Sequence, residues 1–97
     1  MQAKKYITTI TENSIQSLQE QGIFSAFAVP IILVLKPKEK SFGDYAINVA
    51  MEIGKKENRN PMEIAEAIKE QLAKNDDIFN YFDLIEVAEP GFINFHL

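Results

Sequence analysis

The hydrophobic positions at the start of the chain repeat with helical spacing and then give way to a compact apolar run. In residues 4–21, one face of a helix would contain Ile7, Ile10, Ser14, Leu18 and Gln21. Each of these positions follows the previous one by three or four residues. This spacing predicts an amphipathic helix, and Gly22 is a natural residue to end it. The run from 31 to 35 is short, β-branched and bounded by prolines, so it predicts a strand in the interior of a sheet. Residues 26–30 offer one further strand.

Two more helices are predicted in the middle of the chain. One begins near Asp44 and ends at about Lys56, with an apolar face formed by Ala46, Val49, Ala50 and Ile53. The other begins at "NPME", where Asn60 is placed as N-cap, Pro61 at the first helical position and Glu63 at the third, a capping-box pattern. Its apolar positions continue until Lys74–Asn75. The segment 76–82, "DDIFNYF", is typical of either a helical turn or a loop.

The chain ends in two segments that alternate between apolar and polar residues. "LIEVA" (84–88) and "FINFHL" (92–97) are separated by Glu89-Pro90-Gly91, which predicts an antiparallel hairpin. The whole order is helix, strand, helix, helix, hairpin. This order indicates an α+β fold, with a small antiparallel or mixed sheet of about four strands and helices packed on one face.

The last strand carries an unusual row of side chains. With period two, Ile93, Phe95 and Leu97 form the row expected to face the core. Phe92, Asn94 and His96 form the other row, with neighbours about 7 Å apart along the strand. An aromatic ring can stack on a base and a carboxamide can hydrogen-bond its edge, as in proteins that bind unpaired RNA. The same row is also consistent with a semi-polar outer face, or with a face covered by a protein partner.

Composition and charge narrow the possible functions. The chain of 97 residues has a net charge of −4, which argues against a general phosphate-backbone binder such as a DNA-binding protein, although not against local contact with a few nucleotides. Lys36, Lys38 and Lys40 of "KPKEK" are candidates for phosphate contacts or are simply solvated surface. Without cysteine there is no disulfide framework or thiolate metal site. We expect no membrane span and a cytoplasmic location.

Catalytic chemistry finds little support in the sequence. His96 is the only histidine, so neither a histidine-rich metal site nor a catalytic triad is indicated. A phosphate-cradling glycine loop is also missing. Gly43 and Asp44 fit a tight turn followed by a helix cap, with Asn48 one turn into the helix, and we interpret both polar residues as structural.

Three blocks of the sequence resemble a known family, the N-terminal additional domain of arginyl-tRNA synthetases. The first is "GDYAINVAM", Gly43 to Met51; the second is "NPMEIA", Asn60 to Ala65; the third is "GFINF", Gly91 to Phe95. They occur in the family's order and are spread over most of the chain. The resemblance implies a small α/β domain that precedes a class I catalytic domain.

The resemblance also implies a function and a set of contacts. The domain would pack on the outer corner of tRNA(Arg), where the aromatic residue and the amide of the third block contact a D-loop base; here these are Phe92 and Asn94. Phe92 stands where some relatives have Tyr, so stacking is retained and a hydroxyl hydrogen bond is not. Glu89 lies where some relatives place another contact, but glutamate is a poor partner for RNA and we do not assign it.

The resemblance finally implies a longer enzyme. The family's His-x-Gly-His and Lys-Met-Ser-type motifs do not occur here, so residues 1–97 are expected to be a single N-terminal domain excised from a synthetase. We expect no cofactor in this domain and ATP with Mg²⁺ in the parent, and as partners tRNA(Arg) and the rest of the enzyme. The alternative is a protein-interaction or dimerisation module that uses the open sheet face.

Overall fold

The computed structural model describes residues 2–75 and 77–97, which contain three α-helices and four short strands. In chain order these are α1 (Ala3–Glu20), β1 (Val34–Leu35), β2 (Tyr45–Ile47), α2 (Val49–Glu57), α3 (Pro61–Ala73), β3 (Leu84–Ala88) and β4 (Phe92–His96). Single 3₁₀ turns lie at Lys40–Phe42 and Ile78–Asn80. None of the helices in these two ranges is long and apolar enough to cross a membrane.

The four strands form one antiparallel sheet in the order β1-β2-β4-β3. The hairpin β3–β4 is as predicted, and β4 is a central strand because it pairs with β2 on one side and β3 on the other. Helix α3 packs on β3 and β4, and it also contacts both α1 and α2. The α+β class with helices on one face of a four-stranded sheet is therefore confirmed.

The helices predicted from strong local signals begin and end close to where they were expected. Asn60 Oδ1 accepts a hydrogen bond from the Met62 backbone N–H at 2.8 Å, and Pro61 is the first residue of α3. At the end of α1, Gly22 has a φ of +78°, and the N–H groups of Ile23 and Phe24 return to the Leu18 carbonyl oxygen. A positive φ and donors folded back onto the last turn are a common way for a helix to stop.

One hydrophobic core lies between the helices and the sheet. Ile93 and Phe95 are both 0% exposed, so the register of the last strand is confirmed at these positions. Leu97, predicted to belong to the same row, is 57% exposed, and that prediction is wrong. The pairing of β4 ends at His96, so Leu97 lies beyond the part of the strand that the sheet holds against the core.

The strand predicted at 31–35 is different from the expectation in length and in position. Only Val34–Leu35 pairs, and β1 is an edge strand, not an interior one. The run does alternate: Ile32 is buried, whereas Ile31 and Leu33 are 81% and 58% exposed. A half-buried segment with outward apolar side chains has the composition of a fully buried strand, which explains the error.

Residues 26–30 form no strand. Phe27 and Val29 pack against the core from an irregular segment. The Gln19 carboxamide donates hydrogen bonds to the backbone oxygens of Ser25 and Phe27, at 2.9 and 2.8 Å. A side chain of α1 therefore satisfies backbone acceptors that a neighbouring strand would otherwise satisfy.

The fourth strand comes from residues that were assigned to a helix. Tyr45–Ile47 pairs with both β1 and β4, and α2 begins only at Val49. Asn48 is at the N-cap position and makes no side-chain cap hydrogen bond, so its placement one turn inside the helix is wrong. Asp44 does not cap α2 either. Of the segment 76–82, residue 76 lies outside the described residues, and the 3₁₀ turn Ile78–Asn80 occupies its middle.

Candidate functional site

The face of the sheet turned away from the helices carries a groove of about 530 Å³. Its lining consists of Leu35, Lys36, Pro37, Lys38, Glu39, Phe42, Ala46, Ala88, Glu89, Phe92 and Asn94. The size falls within the range of ordinary small-ligand pockets, which are roughly 300–1,000 Å³. The groove is the space between the loop that follows β1 and the open face of β2, β4 and β3.

Strand register explains why Phe92 and Asn94 open into this groove. Asn94 pairs with Ala46 of β2 and with Glu86 of β3, and Phe92 pairs with Ala88 of β3. In an antiparallel sheet, directly paired residues project to the same face. The two alanines are short, so they leave room above the sheet beside the ring of Phe92 and the amide of Asn94.

Asn94 is the more constrained of the two residues. It is only 4% exposed because strands flank it on both sides. Within residues 2–75 and 77–97 its carboxamide has no hydrogen-bond partner. An amide offers two donors and one acceptor oxygen. The nitrogen and oxygen of this amide are not among the fully buried atoms that lack a hydrogen-bond partner, so both are accessible from the groove. The Asn94 side chain therefore presents its hydrogen-bonding capacity to the groove.

The structure separates the three candidate lysines. Lys36 and Lys38 line the groove together with Phe92 and Asn94. They also line a second, adjoining groove of about 310 Å³, and Lys40 lines only this second groove. The Lys36 ammonium nitrogen lies 5.8 Å from the centre of the Tyr45 ring, a cation–π distance. Two of the three lysines are thus next to the aromatic and amide groups.

Lys40 and Asp44 are engaged in a local contact at the end of β4. Lys40 Nζ is 3.2 Å from Asp44 Oδ1, but its side chain is 93% exposed, so the ion pair is weak. The Leu97 backbone N–H donates to Asp44 Oδ2 at 2.8 Å. This hydrogen bond, and after it the bond from Lys40, holds the pKa of the Asp44 carboxyl below its usual value. Asp44 therefore ties the residue after β4 to the segment before β2.

His96 does not join the other candidates. It lies on the same face of β4 but does not line the groove, and its Nε2 is 2.8 Å from Glu86 Oε1 without forming a directed hydrogen bond. The pair becomes an ion pair only when the imidazole is protonated. His96 is thus placed beside an acidic side chain, which makes it less suited to a phosphate or base than Phe92 and Asn94.

Phe42 is a groove residue that the sequence analysis missed. It is 50% exposed, lies in the 3₁₀ turn Lys40–Phe42 and lines the groove with Phe92. The available signal was an apolar ring between Ser41 and Gly43 in a polar loop, where no core position was expected.

The groove has no cluster of groups suited to catalysis or to a metal. Within the described ranges, no three His, Cys, Asp or Glu side chains lie together in an arrangement that could hold an ion. The chemistry that is present consists of aromatic faces, one amide without a protein partner, two cations (Lys36 and Lys38) and two carboxylates (Glu39 and Glu89). This combination is suited to binding a flat polar group that is attached to an anion.

Comparison with known proteins gives a consistent result. The family described as "Arginyl tRNA synthetase N terminal domain" matches residues 4–97. The chain is 40% identical over 95 residues to an arginine-tRNA ligase of Acetivibrio thermocellus, a match that covers 97% of this chain and 16% of that protein. It is 36% identical over 98 residues to an arginine-tRNA ligase of Listeria monocytogenes, covering 94% of this chain and 17% of the relative.

A solved structure has the same fold. The arginyl-tRNA synthetase of Plasmodium falciparum superimposes with a TM-score of 0.76 at 31% sequence identity, over 98% of this chain and 16% of the other. In all three comparisons nearly the whole chain corresponds to about one sixth of a much longer protein.

Proposed function

Because the chain belongs to the arginyl-tRNA synthetase N-terminal domain family, we propose that it serves a longer arginine-tRNA ligase by contacting the D-loop at the outer corner of tRNA(Arg). The observation that carries the proposal is the grouping of Phe92 and Asn94 with Lys36 and Lys38 around one groove. In this arrangement a base can stack on an aromatic ring and hydrogen-bond an amide while its phosphates lie near two cations.

Each side chain has its own role in the proposed contact, and its chemistry determines that role. The ring of Phe92 stacks on any base, since every base has a π-face. The carboxamide of Asn94 distinguishes bases, because its donors and acceptor must match the edge of the base. Lys36 and Lys38 attract the sugar-phosphate backbone of the tRNA, and this attraction does not depend on the base sequence. The net charge of −4 is compatible with this, because the rest of a synthetase would supply most of the tRNA contact.

The remaining parts of the proposal concern the longer enzyme. Its catalytic part would use ATP with Mg²⁺ to join arginine to tRNA, and no residue of this chain is assigned to those cofactors. Residues 1–97 would form a single N-terminal domain whose partners are tRNA(Arg) and the remainder of the polypeptide. The proposed place of action is the cytoplasm.

A protein partner is favoured by a different part of the surface. Ile31 and Leu33 are 81% and 58% exposed and lie just before β1, and neither residue lines the groove. We propose that they contact the rest of the synthetase. In that case the double change Ile31→Ser and Leu33→Ser lowers the melting temperature of the full-length enzyme more than that of the 97-residue chain. Equal shifts in both proteins would contradict this contact.

The decisive test uses the full-length synthetase and tRNA(Arg) transcripts that carry each of the four bases at successive D-loop positions. We expect Phe92→Ala to lower kcat/KM for tRNA about 5- to 150-fold, which corresponds to the roughly 1–3 kcal/mol of a lost base stack. The KM values for ATP and arginine should not change. Asn94→Ala should lower kcat/KM as well, and the two changes should not add fully because they act on one base.

The same kinetics contain the outcome that would contradict the proposal. At the contacted position, the wild type should prefer some bases over others, and Asn94→Ala should reduce that preference. If wild type and both variants rank all transcripts identically with equal kcat/KM, the groove does not bind a base. Phe79→Ala is the matched control, since Phe79 is 51% exposed, lines neither groove and should have no effect.

The lysines need a separate experiment because their effect is independent of sequence. The double change Lys36→Ala and Lys38→Ala should weaken tRNA binding by the same factor for all base variants. It should also reduce the dependence of log Kd on log salt, by about 1 unit of slope for each lost phosphate contact. Lys4→Ala with Lys5→Ala is the control: these exposed lysines of α1 are remote from the groove in sequence and do not line it. An equal loss of slope in the control pair would show that the effect is only one of net charge.

A further inference from the structure

Phe42 has no structural role that explains an aromatic ring at its position. Its side chain is 50% exposed and does not belong to the core cluster. Single half-exposed aromatic residues are common on protein surfaces, and Phe79 is 51% exposed as well, so the feature specific to Phe42 is its place in the lining of the groove. The ring lines the same groove as Phe92. Neither the core packing nor the sequence motifs assign it a role.

The backbone around Phe42 is held firmly to the strand that carries Phe92. The Phe42 N–H donates to Glu39 and the Gly43 N–H to Lys40, each at 3.0 Å, which closes the 3₁₀ turn. The next residue, Asp44, donates its N–H to the Phe95 carbonyl oxygen at 2.8 Å. Because the chain is attached to β4 two residues after Phe42, the backbone that carries Phe42 has a fixed position relative to the strand that carries Phe92.

The turn also requires a very close approach that only glycine permits. Gly43 has a φ of +88°, and a Cβ atom at this position would lie 2.8 Å from the Phe95 carbonyl oxygen. The backbone of the Phe42 turn thus lies directly against β4. Pre-ordering of contact groups lowers the entropy that binding must offset, so such a pair is well suited to hold a flat ligand.

We infer that Phe42 makes a second aromatic contact with the base that Phe92 and Asn94 bind, so that the groove holds one unstacked nucleobase of RNA by two rings. This inference rests on the proposed function and names the occupant of the groove more closely. The groove is lined by charges of both signs, Lys36 and Lys38 against Glu39 and Glu89. The two lysines can meet the phosphates of the flanking nucleotides, whereas an apolar peptide has no group that would pair with any of the four charges. A second stack raises affinity for any base and leaves the choice between bases to the amide of Asn94.

The test measures kcat/KM for tRNA(Arg) with the full-length synthetase. We expect Phe42→Ala to lower it about 5- to 150-fold, the effect of removing one base–aromatic contact. Phe42→Leu, which keeps apolar bulk but not the π-face, should be impaired to a similar degree, whereas Phe42→Tyr should stay near the wild-type value. The factor should be the same for all four bases at the contacted D-loop position, in contrast to Asn94→Ala.

An abasic nucleotide at that D-loop position makes the test specific. On the abasic tRNA, Phe42→Ala should have no effect, because the group that the ring contacts is missing. Phe79→Ala is again the control with equal exposure, 51% against 50%, and should be silent on every tRNA. Melting temperatures of the Phe42 and Phe79 variants should lie close to the wild type, since both side chains are about half exposed.

The possible failures are distinguishable. If Phe92→Ala impairs the enzyme and Phe42→Ala does not, or if Phe42→Leu equals the wild type, the second aromatic contact is refuted and the proposed function stands. If Phe42→Ala is equally harmful on the abasic tRNA, the ring contacts something other than the base and the inference is also refuted. If both Phe42→Ala and Phe92→Ala are silent on intact tRNA, the proposed function itself fails.

Discussion

Truncation of Phe95 should destabilise the protein far more than truncation of Phe92, three residues earlier on the same strand. Phe95 is 0% exposed, pairs with Tyr45 and Ile85, and its ring centre lies 5.3 Å from that of Phe82. Phe95→Ala therefore loses the free energy of burying the ring and leaves a cavity in the core between the sheet and the helices, at a cost of about 3–5 kcal/mol. Phe92 lies on the open face, and Phe92→Ala should cost about 1 kcal/mol or less.

Urea unfolding followed by circular dichroism would measure both changes on the 97-residue chain. A loss of 3–5 kcal/mol is a large share of the roughly 5–15 kcal/mol that a small domain possesses, so Phe95→Ala can leave too little folded protein to analyse. Phe95→Leu then gives a smaller loss in the same direction and keeps the comparison measurable. With about 4–8 °C per kcal/mol, Phe95→Ala should lower the melting temperature by more than about 12 °C. A larger loss for Phe92→Ala than for Phe95→Ala would mean that the strand register is shifted by one residue.

Three further predictions concern the junction at Gly43–Asp44 and the chain as a whole. Gly43→Ala should destabilise the fold by more than about 1 kcal/mol, and by more than Gly22→Ala. Both glycines have a positive φ, but only at Gly43 would the added Cβ meet a backbone oxygen. Equal shifts in melting temperature for the two variants would contradict this close approach. The lowered pKa of Asp44 means that its contribution to stability is present above the usual carboxyl pKa of about 3.9 and is lost as the pH falls through the lower folded value. The melting temperature of Asp44→Asn should accordingly fall less than that of the wild type between pH 7 and pH 3, and parallel curves would refute the assignment. The 97-residue chain alone should catalyse neither ATP–pyrophosphate exchange nor aminoacylation when tRNA and arginine are supplied; robust arginine-dependent turnover by a pure preparation would refute this.

The parts of the fold that could be predicted from sequence are those with a local cause. Asn60-Pro61 starts a helix by its own chemistry, and Gly22 ends one for the same kind of reason. The hairpin was visible because its turn residues separate two alternating segments. In contrast, Tyr45–Ile47 is a strand only because β4, about fifty residues later, provides its pairing partner. Local patterns cannot contain that information, and residues 45–47 were therefore assigned to the helix that follows them.

The candidate site shows the same division between local and non-local causes. Alternation along β4 was sufficient to identify Phe92 and Asn94 as residues of one face. It could not separate His96, whose neighbour Glu86 belongs to another strand, or distinguish Lys38 from Lys40. Phe42 is next to the groove because the chain directly after its turn is hydrogen-bonded, through the Asp44 N–H, to the Phe95 carbonyl oxygen on β4. Such a residue can be found only from the folded chain.

The position of the last strand in the middle of the sheet has a consequence for biosynthesis. A ribosome produces β1, β2 and β3 first, yet β2 and β3 are not neighbours and both require β4 between them. Until residue 96 has left the ribosome, β2 and β3 lack the strand that pairs with both of them. Their core residues Ile47 and Ile85 are then without the neighbours that β4 provides. Emerging domains that expose apolar surface are the usual clients of chaperones. A product truncated before residue 92 would lack the strand that joins β2 to β3 and could not complete its sheet.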